Sequence, residues 1–298
     1  MSVTIILKDL VVDIAGRRLV DGVSLELAPG TSTALVGASG AGKSLTCAAV
    51  AGTLAPDARA DGILAREDAP DRNLLALPAQ RRPADARIAL VQQDPATALH
   101  PLVPVIDQVA LAAAGTSRGL GRRSATARAL ELIVAVGLDA DLAERVPGRL
   151  SGGQRQRAAL AVALASDPAV LLTDEPTTAL DVLARAEVLT VLTEVLASLG
   201  DSAPALLLVT HDLPAAAGCD RVVVMHEGRV IEHGDALTVL TAPEHPVTRA
   251  MCAAAREETL AGARAAIEAR RTFTARADAD CAVHAFGDAP APVREGVR

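Results

Sequence analysis

Aromatic side chains are nearly missing from this chain. It has no Trp and no Tyr, and its only two Phe are Phe273 and Phe286. Any core must therefore be aliphatic, and base stacking on aromatic platforms is excluded as a main binding mode. Positive charge is also in deficit, with a formal net charge of -7, which argues against a nucleic-acid partner. Short basic pairs such as Arg81-Arg82 and Arg122-Arg123 read as solvated surface. Cysteine is sparse: Cys47, Cys219, Cys252 and Cys281 lie far apart, with neither metal-ligand nor redox spacing. A reducing compartment suits them. A helix that spans a bilayer needs roughly 20 apolar residues, and the longest apolar run here is Ala158 to Ala165. The N-terminus lacks a basic stretch followed by an apolar run, so no signal peptide is expected.

What is abundant is Ala, Val and Leu. Half of the 298 residues are apolar, enough for one large domain with an appendage. Val3 to Leu10 and Leu19 to Leu27 read as strands, and Pro29-Gly30 turns the chain. Thr33 to Val36 is a short strand entering a glycine-rich loop, and Leu45 to Leu54 reads as the helix after it. Ile88 to Val91 is a further strand. A helical texture runs from Pro104 to about Arg149, including Ala125 to Val136, which Gly137 ends. Ser151 opens a helix through Ala165. Val170 to Leu172 and Ala205 to Val209 read as buried parallel strands. Arg221 to Met225 and Arg229 to Glu232 form a hairpin. Arg256 to Arg271 is of helical type, and the last residues, rich in Ala, Asp, Pro and Arg, read as a weakly ordered tail. The expected organisation is a domain over 1–242, with a helical subdomain over about 94–160, and an extension over 243–298.

Three segments carry chemistry. Gly37-Ala38-Ser39-Gly40-Ala41-Gly42-Lys43-Ser44 has the phosphate-loop pattern G-x-x-x-x-G-K-[ST], preceded by a strand and followed by a helix beginning near Leu45. Its glycines let backbone N–H groups face phosphate oxygens. Lys43 supplies a point charge to the β- and γ-phosphates, and Ser44 a hydroxyl to Mg²⁺. Val170 to Thr173 is an apolar strand that ends in Asp174 and Glu175. Asp174 is placed to hold Mg²⁺, and Glu175 to orient and deprotonate a water. Alone, such a pair is usually a solvated strand end; behind a phosphate loop it is not. Leu150-Ser151-Gly152-Gly153-Gln154 opens a second helix with an anion-binding start, Ser151 as N-cap. One triphosphate does not need two such starts in one chain, so the second is expected to face the nucleotide of another subunit.

Together these motifs resemble the ABC ATPase family, and Leu150 to Gln154 resembles its signature. The resemblance covers roughly residues 3 to 250 and extends to three further positions. Gln93 resembles the glutamine that touches Mg²⁺ and the attacking water, Asp181 in Ala179-Leu180-Asp181 the D-loop aspartate, and His211 the switch histidine at the γ-phosphate. Gln92 is adjacent; the Asp94-Pro95 that follows decides for Gln93. The resemblance implies an α/β fold: a P-loop NTPase core with a mainly parallel sheet, an N-terminal antiparallel β region and a helical subdomain. It also implies ATP and Mg²⁺ as ligands. Nucleotide contacts are implied at Gly37, Ser39, Gly40, Ala41, Gly42, Lys43, Ser44, Leu45 and Asp181, with Ser151, Gly152, Gly153 and Gln154 reaching across a head-to-tail dimer. Glu175, His211 and Gln93 would serve hydrolysis; Ser44, Gln93 and Asp174 would serve the metal. The family commonly stacks adenine on an aromatic residue ahead of the phosphate loop. Here that stretch is Asp13-Ile14-Ala15-Gly16, so Ile14 offers apolar contact without stacking.

Val91-Gln92-Gln93-Asp94-Pro95 through Leu99-His100-Pro101 resembles a segment of the peptide and nickel importer branch, as does His245-Pro246-Val247-Thr248-Arg249. Gly42 to Ala49 resembles the phosphate-loop helix of nickel-import ATPases. The branch implies integral membrane permease subunits as partners. It also implies a second ATPase chain, the same or more often a related one, and, indirectly, an extracytoplasmic substrate-binding protein. The expected place is the cytoplasmic face of the membrane, held peripherally. The cysteine pattern argues against an iron–sulfur cluster in the extension, and His226, His233 and His245 read as surface residues. The rival readings are a soluble ABC ATPase without transport, and the ATPase of an exporter. The absence of a long coiled-coil insertion and the single ATPase domain argue against the first. The Gln-Asp-Pro and His-Pro-Val-Thr-Arg segments argue against the second.

Overall fold

The computed structural model describes residues 3–92, 98–116, 121–175 and 182–257. The chain divides into two compact units, residues 1–249 and 250–298. The strands of the first unit are β1 (Ile5–Ile14), β2 (Arg17–Leu27), β3 (Ser32–Val36), β4 (Ala58–Arg66), β5 (Ile88–Val91), β6 (Val170–Asp174), β7 (Ala205–Val209), β8 (Arg221–His226) and β9 (Arg229–Asp235). Its helices are α1 (Lys43–Ala51), α2 (Val105–Ala114), α3 (Arg122–Ala135), α4 (Gly152–Ala165), α5 (Val182–Leu199), α6 (Leu213–Ala217) and α7 (Ala236–Thr241). The fold class expected from sequence is borne out.

Six strands form the central sheet in the order β5-β6-β7-β3-β8-β9. All its neighbouring pairs are parallel except β8 with β9. The inner strands are apolar on both faces, and their side chains divide by parity. Leu171, Leu206 and Leu208 pack with α2, α3, α4 and α5 in one core. Val170, Leu172, Ala205, Leu207 and Val209 face the other core, beside α1 and a smaller antiparallel sheet of order β2-β1-β4. Burying each of these Leu side chains contributes about 1.5–3 kcal/mol, so the aliphatic bias of the sequence is what closes both faces. No helix among the described residues is long and apolar enough to cross a membrane.

Several boundaries differ from the sequence reading. The first strand runs on to Ile14 because register slips after Leu7 and Leu10 let it pair along its whole length with β2. The helix after the glycine loop stops at Ala51 instead of Leu54. Gly52, at φ 75, donates its N–H to the Ala48 and Ala49 carbonyls and reverses the chain. Gly137, at φ 69, plays that part after α3. The hairpin β8–β9 extends three residues further, to Asp235. The proposed helix Arg256 to Arg271 and the tail lie largely outside the described residues.

Candidate functional site

Parallel topology gathers the site. β6, β7 and β3 are adjacent in the sheet and run the same way. The residues after their carboxyl ends therefore meet along one edge, where α/β sheets bind ligands. After β3 comes the glycine loop, at the end of β6 Asp174 followed by Glu175, and after β7 Thr210 and His211. Gln92 follows β5, the next strand along; Gln93 and Asp181 lie outside the described residues.

The loop is shaped by what it rests on. A Cβ on Gly37 would lie 2.2 Å from the Met225 carbonyl oxygen on β8, so only glycine passes there. Gly40 (φ 81) and Gly42 (φ 100) take the left-handed conformations that wrap the loop. Ala38, Ser39 and Gly40 are exposed at the tip, whereas Ala41 is buried and Leu45 half-buried behind it. Lys43 bends back over the loop, and its Nζ donates to the carbonyls of Gly37 (2.8 Å) and Ala38 (3.0 Å). Burial lowers the Lys43 pKa, while nearby Glu175 and Asp174 oppose that shift. The ammonium is thus held inside the loop among backbone groups.

Ser44 Oγ donates to Asp174 Oδ1 at 3.2 Å, joining α1 to the end of β6. Burial raises the Asp174 pKa; the Ser44 hydrogen bond lowers it, and Glu175 pushes it up again. A partly desolvated carboxylate beside a hydroxyl and a second carboxylate is a set of hard oxygen donors, with Lys43 as a nearby cation. Such a set fits a small divalent cation such as Mg²⁺. Glu175 sits at φ 45, a conformation costly for a residue with a Cβ and common at functional sites. Its N–H donates to the Val209 carbonyl (3.0 Å), which fixes the turn. Glu175 Oε1 lies 3.5 Å from His211 Nδ1. Thr210 Oγ1 accepts from the Asp212 N–H at 2.9 Å, so the loop carrying His211 is pinned by its own side chains.

Residues 20–178 match the model of the ABC transporter family. The chain belongs to the ABC transporter family. The chain is 36% identical over 237 residues to the dipeptide transport ATP-binding protein DppD of Lactococcus lactis, a match covering 78% of this chain and 66% of that protein. The DppD proteins of Haemophilus influenzae and Escherichia coli are each 35% identical over 238 residues, 71% of their own lengths. Among solved structures the chain resembles cbiO1 from Clostridium perfringens, part of the ABC transporter complex cbiONQ. That likeness has TM-score 0.67 and 26% identity, and it covers 81% of this chain and 92% of the other. It also resembles the ATP-binding cassette MJ0796 in a dimeric post-hydrolysis state bound to ADP and Pi, with TM-score 0.63 and 27% identity over 78% of this chain and 98% of that one. The ATPase class read from the sequence is borne out.

The segment resembling the ABC signature stands apart from these residues, at the start of α4. Ser151 caps the helix: its Oγ accepts from the Gln154 N–H (3.2 Å), and Gln154 Oε1 accepts from the Ser151 N–H (2.9 Å). Gly152 and Gly153 form the first turn, both half-buried. A helix start leaves first-turn N–H groups without intrahelical partners, so this capped one can receive an anion. Sequence reasoning missed the floor of the phosphate loop. Met225 presents its carbonyl to Gly37, its Cε to Gly42, and its Sδ to the Thr46 hydroxyl at 3.9 Å. A methionine in an apolar strand gives no sequence signal of that position.

Proposed function

We propose that this chain is the ATP-hydrolysing subunit of an importer that takes up peptides through separate membrane permease subunits. The observation that carries the ATP chemistry is the meeting, on one sheet edge, of Lys43, the Ser44–Asp174 pair at 3.2 Å and the Glu175–His211 pair at 3.5 Å. In this reading the loop from Gly37 through Ser44, with Leu45, wraps the phosphates. Ser44, Asp174 and Gln93 hold Mg²⁺, which when bound neutralises phosphate charge. Glu175 takes a proton from the attacking water, while His211 holds Glu175 and the γ-phosphate end in place. A second ATPase chain, a copy or a relative, closes head to tail so that its Ser151, Gly152, Gly153 and Gln154 cover the nucleotide, with Asp181 at the contact. Closure biases the permease between two states. The boundaries 1–242 and 243–298 stand as the proposed division of labour, the extension lying outside the engine.

The peptide assignment is supported by the dipeptide-transport relatives and by His245-Pro246-Val247-Thr248-Arg249. It implies a peripheral position on the cytoplasmic face of the membrane and an extracytoplasmic binding protein that delivers cargo. Uptake of a labelled dipeptide and of labelled nickel, in source cells carrying wild-type protein or Glu175→Gln, tests it. Peptide uptake should collapse in the variant with nickel uptake intact. Loss of nickel uptake alone would replace peptide by metal as cargo.

A further inference from the structure

The turn of the β8–β9 hairpin reaches behind the phosphate loop, and no step of the proposed hydrolysis uses it. Glu227 and Gly228 form that turn, both in the left-handed region at φ 46 and 79. The Gly228 N–H donates to the Ala41 carbonyl at 3.1 Å, and the Gly228 carbonyl accepts the Asp21 N–H at 2.8 Å. The turn is thus bonded to the loop on one side and to β2 on the other. It is also close-packed: a Cβ on Gly228 would lie 2.6 Å from the Leu19 carbonyl oxygen and 3.3 Å from Val20 Cα. These are backbone atoms of β2, so no larger residue fits without moving that strand. One ion pair closes the arrangement. Arg229 Nη2 reaches Asp21 Oδ2 at 2.5 Å, and Arg18 takes the same carboxylate at 3.3 Å.

What the contact with Ala41 fixes is the direction of one peptide. The Ala41–Gly42 peptide is planar and trans, so its C=O and N–H point opposite ways. With the Ala41 carbonyl drawn back to Gly228, the Gly42 N–H is turned away from the hairpin. Among the described residues no hydrogen bond takes up that N–H. Ala41 is buried and Gly42 half-buried, so an orphaned donor here is costly until a ligand accepts from it. It stands one residue ahead of Lys43, where α1 begins and an anion is favoured. Without the bond to Gly228 the peptide is free to flip, because Gly42, at φ 100, has no Cβ to oppose the rotation.

We infer that Gly228 is a positioning residue for the phosphate loop: it pins the Ala41–Gly42 peptide so that the Gly42 N–H is aimed at the triphosphate before it binds, and the Asp21–Arg229 pair holds the turn in place. The gain is preorganisation, since a peptide already oriented costs nothing to order on binding. This rests on the nucleotide binding proposed above. Calorimetric titration of the full chain with Mg²⁺ and ATP or inorganic tripolyphosphate, beside the amide proton resonance of Gly42, tests it. In the wild type that resonance should move on adding tripolyphosphate. Gly228→Ala should weaken both ligands alike by about 10-fold or more, the size of one lost hydrogen bond to a charged group, and the Gly42 resonance should stay where it is. Arg229→Gln removes only an exposed charge and leaves the backbone of the turn unaltered. It should weaken tripolyphosphate by about 2- to 3-fold at low salt, and the gap to wild type should close at about 1 M salt. Wild-type affinity in a folded Gly228→Ala protein, or a Gly42 resonance that moves in it as in the wild type, would overturn the proposal. Should Gly228→Ala fail to fold, wild-type affinity of Arg229→Gln at low salt would overturn it instead. Failure of the wild-type chain to bind either ligand would sink the nucleotide reading itself, and the proposal with it.

Discussion

Glu175 and His211 face each other across the ends of adjacent strands β6 and β7, with Oε1 3.5 Å from Nδ1. Glu175 hangs from a strained turn tied to the Val209 carbonyl, at the end of β7, so one strand end fixes both groups. If Glu175 is the base, Glu175→Gln keeps size and hydrogen bonding but removes the proton acceptor. Turnover should fall about 100-fold or more while nucleotide affinity stays within a few-fold. Steady-state hydrolysis beside equilibrium binding measures this, and near-normal turnover would remove Glu175 from the role of base.

Lys43 is buried among carbonyls, and burial lowers its pKa against the opposing pull of Glu175 and Asp174. Lys43→Ala should lose affinity for the triphosphate itself, by about 10-fold or more, as expected for a charge-assisted contact of ~1.5–3 kcal/mol. Unchanged affinity in a nucleotide titration would count against a phosphate role.

Asp174 illustrates function set against stability. Its pKa is raised above the ordinary 3.8, by burial first. The folded state therefore holds the proton more tightly than the unfolded chain does. Stability falls as pH rises from about 3.8 through the raised folded value, and at neutral pH the full penalty is present. Asp174→Asn should raise the Tm of the nucleotide-free protein at pH 7, by about 1 kcal/mol in stability, with little gain at pH 4. The same change should abolish the extra stabilisation that Mg²⁺ adds to nucleotide binding. A lower Tm in the variant at pH 7 would contradict the charge argument.

Much of this was legible from residue pattern. The bounds of β5, β7 and α4 are those expected, because each is a clean apolar run or a capped start. The features that escaped depend on tertiary context. β4 carries Arg59, Asp61 and Gly62, and its only apolar alternation is the short Ala58 and Ala60; it is a strand because β1 pairs with it, Gly62 sitting where a Cβ would meet the Lys8 carbonyl at 2.8 Å. α5 is rich in Val and Thr and reads ambiguously, yet its Val188, Leu192 and Val195 are buried, and Leu192 and Val195 complete a core. The convergence of Lys43, Asp174, Glu175 and His211 was expected from motif order. The Arg82 guanidinium, which donates to the Val50 carbonyl at the end of α1 from a separate loop, was not, since nothing local marks it.

Ser151 should separate a structural from a functional part. Ser151→Ala removes the cap on α4 and should cost about 1 kcal/mol. Ser151→Asp keeps a capping oxygen but adds negative charge where a partner's phosphate is proposed to sit. Its Tm should stay near wild type, while ATP-dependent association with the second ATPase chain, measured by sedimentation, is lost. Association as strong as wild type in Ser151→Asp would detach this helix start from the nucleotide.

Two glycines of one loop should respond differently to the same methyl group. At Gly37 a Cβ would fall 2.2 Å from the Met225 carbonyl oxygen, 3.2 Å from its carbon and 3.3 Å from Ala41 Cβ. The obstacle is backbone in a buried central strand, which cannot swing aside as a side chain would. At Gly40 nothing lies within 4 Å, and only the left-handed φ of 81 opposes a side chain. Gly40→Ala should therefore cost about 1–3 kcal/mol of conformational strain with the fold intact. Gly37→Ala must move the loop off its floor, losing the two carbonyl contacts that hold Lys43. Nucleotide affinity should drop by more than about tenfold in Gly37→Ala, and clearly less in Gly40→Ala. Calorimetry on the two variants, with Tm as the control for folding, decides it. Equal losses would mean that the contact with Met225 does not set the shape of the loop.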